Sequence, residues 1–313
     1  MSEARIPYAK SASSFDDLLN HWAAQGLGIA ERNTAKHYLQ FIGYYRLRGY
    51  ARRFQILTEG PNYHHFHPGT TFEDIIHLYK FDRKLRASLM DALERIEVAI
   101  RSVVSERMSN AHGPHWFLNP DSFMDDRAFQ KTCQLARDLL SDSESEKKHS
   151  FLAHYRKKYN TPDLPPGWML FEILSFGNIS HIYSGLSSRL KKDIASIFDL
   201  SPAVLSSWMR ALSYLRNLCA HHSRVWNRTF TIKPENDKKL QIYQITRNDR
   251  FYVLASIIHY FLRRIKGASQ WAESVRATVG VRPLEEQLSM GFPDQWQNLS
   301  IWQPPSAESA NLL

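Results

Sequence analysis

Apolar residues recur along this chain at steps of three and four, the spacing that places them on one face of an α-helix. The firmest case covers 72–109, where Ile75, Leu78, Tyr79, Leu85, Leu89, Leu93, Ile96 and Ile100 keep to one side. Thr71 stands before it with Asp74 three positions on, the capping-box arrangement, and Gly113-Pro114 closes it. The same reasoning predicts a helix over 14–26, with Ser14 as N-cap and Leu18, Leu19 and Trp22 facing inward. A second helical stretch is predicted over 33–54, kinked near Gly43 or Gly49. Others follow at 126–140, 149–158, 167–184, 188–197, 201–222 and 247–266, the last with Phe251, Leu254, Ile258, Phe261 and Leu262 on its apolar side. Strand-like alternation is rare, with Thr229-Phe230-Thr231-Ile232 its best short instance. The pattern predicts an all-α fold.

Breakers divide the chain. A loop is expected over 58–70, a charged, serine-rich connection over 141–148, and a stop at Asn160-Thr161-Pro162-Asp163-Leu164-Pro165-Pro166. This suggests an N-terminal helical region over 1–66 and a helical core over 67–266 with an exposed insertion near 141–166. The remainder, 267–313, reads as a tail rich in Trp, Pro and Gln that packs on the core.

Composition fits a folded chain, with 43% hydrophobic and 23% charged residues. No apolar run reaches the roughly 18 residues needed to cross a bilayer. The first residues carry no apolar leader core, so a cytoplasmic protein without membrane contact is expected. Two cysteines, Cys133 and Cys219, make neither a disulfide framework nor a four-ligand zinc site, and read as reduced, partly buried thiols. The net charge of +9 favours a polyanionic partner, most simply nucleic acid. Arginine outnumbers lysine 25 to 15, which leans toward phosphate recognition rather than plain solubility.

Candidate chemistry concentrates in one segment, Leu215-Arg216-Asn217-Leu218-Cys219-Ala220-His221-His222-Ser223-Arg224. Arginine holds a phosphate with two parallel bonds and stays charged, and histidine moves protons near neutral pH. Together they suffice for cutting RNA without a metal or other cofactor. Spacing alone is weak support: 25 arginines and 14 histidines give about three such matches by chance. Arg32…His37 and Arg107…His112 are two of them, the latter explained by a helix end. The Arg216 match stands out by its apolar helical approach through Leu205, Trp208, Leu212 and Leu215, and by its polar neighbours Asn217, His222, Ser223, Arg224 and Asn227. A capped helix end with a dipole-paired histidine explains it equally well. Five residues along an ideal helix turn about 500°, so Arg216 and His221 point about 140° apart. A two-fold dimer that brings two such ends together would supply one pocket.

Three other clusters compete. His64-His65-Phe66-His67 resembles a metal-ligand run, but a loop cluster without nearby cysteine is more commonly solvated, and no metal is assigned. Tyr44, Tyr45, Arg46, Arg48, Arg52 and Arg53 interleave aromatics with cations, as suits unpaired bases and phosphates, or equally an amphipathic helix with buried rings. Arg83 and Arg86 lie on the long helix with Glu94, Glu97 and Arg101, where Glu97 and Arg101 form a supportive i, i+4 pair.

The blocks Phe41-Ile42-Gly43-Tyr44-Tyr45-Arg46-Leu47, Pro68-Gly69-Thr70-Thr71-Phe72 and Leu78-Tyr79-Lys80-Phe81-Asp82-Arg83-Lys84-Leu85-Arg86 carry a family likeness. So do Glu94-Arg95-Ile96-Glu97, the Arg216 segment, Met290-Gly291-Phe292-Pro293, Trp296 and Ile301-Trp302. In this order the chain resembles abortive-infection proteins of the AbiD/AbiF type, bacterial phage-defence proteins of the HEPN superfamily. The resemblance implies a HEPN-like helical bundle and metal-independent RNA cleavage at a composite site built from two Arg-x4–6-His motifs, hence a homodimer. It assigns Arg216 and His221 to the catalytic pair, with Asn217 as the accompanying polar residue and His222 as the alternative imidazole. It also implies a structured non-coding RNA as an antitoxin; the RNA contacts expected of Tyr44, Tyr45, Arg46, Arg48, Arg52, Arg53, Arg83, Arg86 and Arg224 rest on their residue chemistry and placement instead. Some such proteins only bind RNA, in complex with that non-coding RNA.

Overall fold

The computed structural model describes residues 11–141, 147–266 and 270–303. Among them no strand forms. The extended pairing consists of isolated bridges, Gly28 with Thr71, Gln55 with Phe66 and Phe123 with Leu186, so the fold is all-α. Thr229–Ile232 is irregular rather than a strand. The chain divides into two compact units, one up to Lys84 and one from Leu85.

The first unit opens with α1 (Phe15–Ala24). Ser14 caps it as the sequence predicts: its hydroxyl accepts from the Asp17 amide while Asp17 reaches back to the Ser14 N–H. The stretch predicted over 33–54 is two helices, α2 (Arg32–Ile42) and α3 (Tyr44–Ala51), followed by a 3-10 turn at Arg52–Phe54. The break falls at Gly43, whose φ of +92° suits glycine, while Gly49 stays helical. Trp22 forms the hub of this core, 4.8 Å from the Tyr44 ring and 6.3 Å from Phe72. Tyr50 is buried and donates to buried Asp82 at 2.6 Å.

The long helix α4 (Phe72–His112) begins at the Thr71–Asp74 capping box and stops before Gly113, at φ +82°. Of its predicted apolar residues, Ile75, Leu78, Leu85, Leu89, Leu93, Ile96 and Ile100 are buried, and Tyr79 is half-buried. In the second unit follow α5 (Asp126–Ser141), α6 (Ser150–Lys158), α7 (Gly167–Ile173), α8 (Phe176–Gly185), α9 (Ser188–Ile197), α10 (Pro202–Ala220) and α11 (Phe251–Lys266). The connection expected over 141–148 lies largely outside the described residues. The helix predicted over 167–184 breaks at Leu174-Ser175, because Ser175 caps a new helix through the Asn178 amide. The last long helix starts at Phe251 rather than near 247: a turn occupies 248–250, where the Asp249 carbonyl accepts from the Phe230 amide and the Asp249 carboxylate pairs with Arg247.

Small residues let α8 lie close against α10. A side chain at Gly177 would meet the Ser213 hydroxyl at 3.2 Å, and Ser184 bonds Ser206 at 2.7 Å. As one helix advances from 177 to 184 the other retreats from 213 to 206, so the two run antiparallel.

The segment beyond 270 does more than cover a surface. It forms α12 (Trp271–Thr278) and α13 (Leu284–Ser289) and buries Trp271, Met290, Phe292, Trp296 and Trp302. These residues cover the side of α11 that its apolar stripe leaves bare, so Phe251 through His259 are all buried. His259 stacks on Trp302 at 4.7 Å and 10°, and its Nε2 lies 2.7 Å from the Ile301 carbonyl. Trp302 in turn donates to the Tyr252 hydroxyl at 3.2 Å.

Burial holds the His259 pKa down at about 4, aided by the charges of Arg263 and Arg276. The unfolded chain takes up this proton near its ordinary pKa of 6.5, whereas the folded protein refuses it until about pH 4. Stability is therefore full above pH 6.5 and falls as the solution is acidified toward 4. Urea unfolding should register a loss on the order of 2 kcal/mol from this group between about pH 7 and pH 5. His259→Gln should flatten that part of the profile; an unchanged profile would contradict the assignment.

Candidate functional site

The candidate site is built on α10 and its C-terminal turn. Ser201 caps the helix through the Val204 amide and Pro202 occupies the first turn, where its missing N–H costs nothing. Leu205, Trp208, Met209, Leu212 and Leu215 are fully buried and fix how the helix is rotated. Arg210, Asn217, Ala220 and His221 then face solvent.

The helix ends in a Schellman turn. The Ser223 amide donates to the Leu218 carbonyl at 2.8 Å and the His222 amide to Cys219 at 3.0 Å. His222 occupies the left-handed position at φ +56°, where glycine is the usual residue. His221 is the C-cap, and both imidazoles are exposed.

Arg216 leaves the helix on the side facing α4. Its Nε lies 3.6 Å from Glu97 Oε2. The other oxygen of Glu97 accepts from Arg101 Nη2 at 2.9 Å, and Arg101 also donates to the Leu174 carbonyl at 3.0 Å. The Glu97 side chain is 11% exposed and that of Arg216 35%. One buried carboxylate is thus shared by two guanidiniums, which leaves net positive charge at the more exposed one, Arg216.

Asn217 and His221 lie one turn apart on the other side of the helix, joined by a backbone bond of 2.9 Å. Among the described residues Arg216 and His221 make no contact with each other. The divergence expected from helix geometry is therefore kept within one chain.

The remaining polar neighbours are tied into the scaffold. The Arg224 guanidinium lies over the buried Trp226 ring at 5.7 Å. Asn227 accepts from Arg250 at 3.3 Å, and Arg228 donates to the Tyr214 hydroxyl at 3.3 Å. Hydrogen bonds from Thr231 and then Arg228 hold the Tyr214 phenol below its ordinary range, against partial burial. Tyr214 and the second role of Glu97 have no local sequence signal. Both cysteines are buried, and burial pushes the Cys133 thiol up.

The aromatic and arginine cluster belongs to the first unit. Tyr45 is 84% exposed, and Arg46, Arg48 and Arg52 are exposed beside it. Tyr44 is half-buried against Trp22, where desolvation pushes its phenol up, and Arg53 is half-buried. Arg83 is exposed. Arg86, in the second unit, is buried at 5% and offers no outward charge. The His64 ring lies tilted against Tyr63 with centroids 3.8 Å apart, and no group of three or more His, Cys, Asp or Glu able to hold a metal exists among the described residues.

A family model described as Abi-like protein matches residues 37–227, more than half of the chain. The match spans Glu97, Arg216, Asn217, His221, His222 and Arg224. No curated protein and no solved structure matches.

Glu97→Ala should strand the Arg101 charge and cost about 3 kcal/mol or more in chemical denaturation. Glu97→Gln, which keeps the shape and one acceptor, should cost less; equal losses would argue against a charge-pairing role. His222→Gly should raise stability by about 1 kcal/mol by relieving the left-handed backbone, and a lower melting temperature would contradict that reading.

Proposed function

Because the chain belongs to the Abi-like protein family, and so to abortive-infection proteins of phage defence, we propose that it binds RNA and cleaves it without a metal at a HEPN-type composite site. The observation that carries this reading is the pairing of Arg216 with buried Glu97 at 3.6 Å, on the same helix end that exposes Asn217, His221 and His222. A guanidinium fixed from behind and open at the surface is suited to the charge that develops on a phosphate during transfer. Because Arg216 and His221 diverge within one chain, a second copy of the chain completes the site, in a homodimer with two-fold symmetry.

In this reaction the RNA 2′-oxygen attacks the adjacent phosphorus in line as the bond to the 5′-oxygen breaks. One His221 imidazole accepts the 2′-hydroxyl proton, and its protonated counterpart gives a proton to the departing 5′-oxygen. Arg216 binds the non-bridging oxygens and Asn217 orients the phosphate or the imidazole. The products carry a 2′,3′-cyclic phosphate and a 5′-hydroxyl. Tyr45 with Arg46, Arg48 and Arg52, as well as Arg83 and Arg224, are further candidate RNA contacts.

The separation of Arg216 from His221 in a single chain also favours a second reading. A chain that stays monomeric would hold a structured non-coding RNA without cutting it.

Arg216→Ala should lower cleavage about 100-fold or more, and His221→Ala combined with His222→Ala about as much, with EDTA leaving the parent rate unchanged. A parent that binds RNA and cuts none would select the second reading. Full activity in the double histidine variant would overturn the catalytic assignment.

A further inference from the structure

A second site lies on the same helix, nearer its start. A cavity of about 720 Å³ opens between α8, α9, the first turns of α10 and the segment 231–235. Its volume falls in the ordinary range of small-ligand sites and exceeds what a lone phosphate fills. Three cations line it, Lys191, Arg210 and Lys233, against the single carboxylate of Glu235. Ser206 and Ser207 add hydroxyls.

The wall is built rather than incidental. Trp208 Nε1 donates to the Glu235 carbonyl at 2.9 Å, and the Glu235 amide donates to the Ser207 hydroxyl at 2.8 Å. Thr231, also in the lining, bonds the Tyr214 hydroxyl at 3.4 Å. Lys191 Nζ is held by the Ser184 carbonyl at 3.3 Å. Arg210 is exposed and makes no ion pair or hydrogen bond with the described residues, so its fork is open to an anion.

The position of the cavity matters as much as its charge. Ala203, Ser207, Arg210, Tyr214, Asn217 and His221 follow one another at alternating steps of four and three, which places them on one face of α10. Arg210 stands about 16 Å along the axis from His221, a span covered by a few nucleotides. No aromatic ring lines the cavity, so it has no slot to stack a free base against.

We propose that this cavity binds the phosphate and ribose of an RNA strand a few nucleotides from His221, on the outer face of α10 and without reading base identity. The proposal rests on the chain being an RNA-binding protein, and it does not require that the RNA be cut.

The test is fluorescence anisotropy with a labelled, non-cleavable 2′-O-methyl RNA decamer and the full chain. Arg210→Ala with Lys233→Ala should weaken binding about tenfold and lower the slope of log affinity against log salt by about 1.4, two phosphate contacts' worth for a single strand. The charge-preserving pair Arg210→Lys and Lys233→Arg should retain binding, and both residues are exposed, so folding is unaffected. Unchanged affinity and slope in the double alanine protein, with the parent binding well, would overturn the cavity assignment alone. The same holds if inorganic phosphate at matched ionic strength occupies the cavity while the decamer ignores the substitutions. A parent that binds no RNA would overturn the functional reading together with the cavity assignment.

Discussion

A carboxylate buried in a protein must be paired, and Glu97 is paired twice. Its two oxygens take Arg101 on its own helix and Arg216 on α10, and Arg101 continues to the Leu174 carbonyl at the break between α7 and α8. Removing charges from water costs several kcal/mol per ion, so such a cluster persists only with good geometry. That demand sets where the end of α10 sits relative to α4. It also sets which group reaches the surface: Arg101 is spent inside, while Arg216 keeps its outer edge open. The exposure of Asn217, His221 and His222 at the same end comes from the buried stripe of α10 and its closing turn.

Local signals in the sequence are strong and the structure follows them. The capping boxes at Ser14 and Thr71, the stops at Gly43 and Gly113 and the apolar stripe of α4 each depend on residues within a turn or two of one another. The break at Leu174-Ser175 is different. Apolar residues run through it, from Leu170 and Phe171 to Phe176 and Ile179, and only a single serine marks the restart. The burial of α11 on all sides from Phe251 to His259 was equally hidden, because the far face there is covered by Trp296, Trp302 and Phe292 from beyond residue 290. A helical stripe shows which side is apolar, and it leaves unstated which partner covers the other.

The site divides along the same line. Arg216, Asn217, His221 and His222 share a few positions and a helix end, so residue chemistry picks them out, although chance produces similar spacings elsewhere in the chain. The tie between Arg216 and Glu97 spans two distant helices, and the i, i+4 pair of Glu97 with Arg101 is only half of it. Arg86 illustrates the reverse error: its place among charges on α4 suggested an outward contact, yet packing turned it inward. The cavity beside Arg210 joins four segments and leaves no trace in any one of them.

Two observations bear on how one chain can carry cleavage chemistry: Arg216 is fixed toward α4, and His221 faces away from it. In the reaction we propose, the two groups come from two copies of the chain, and imidazoles and a guanidinium carry the chemistry. Mass spectrometry of the fragment ends, after incubating a defined RNA with the protein in EDTA, tests this most directly. The account predicts 2′,3′-cyclic phosphate at the upstream fragment and 5′-hydroxyl at the downstream one. Fragments ending in 3′-hydroxyl with 5′-phosphate, or cleavage abolished by the chelator, would contradict it.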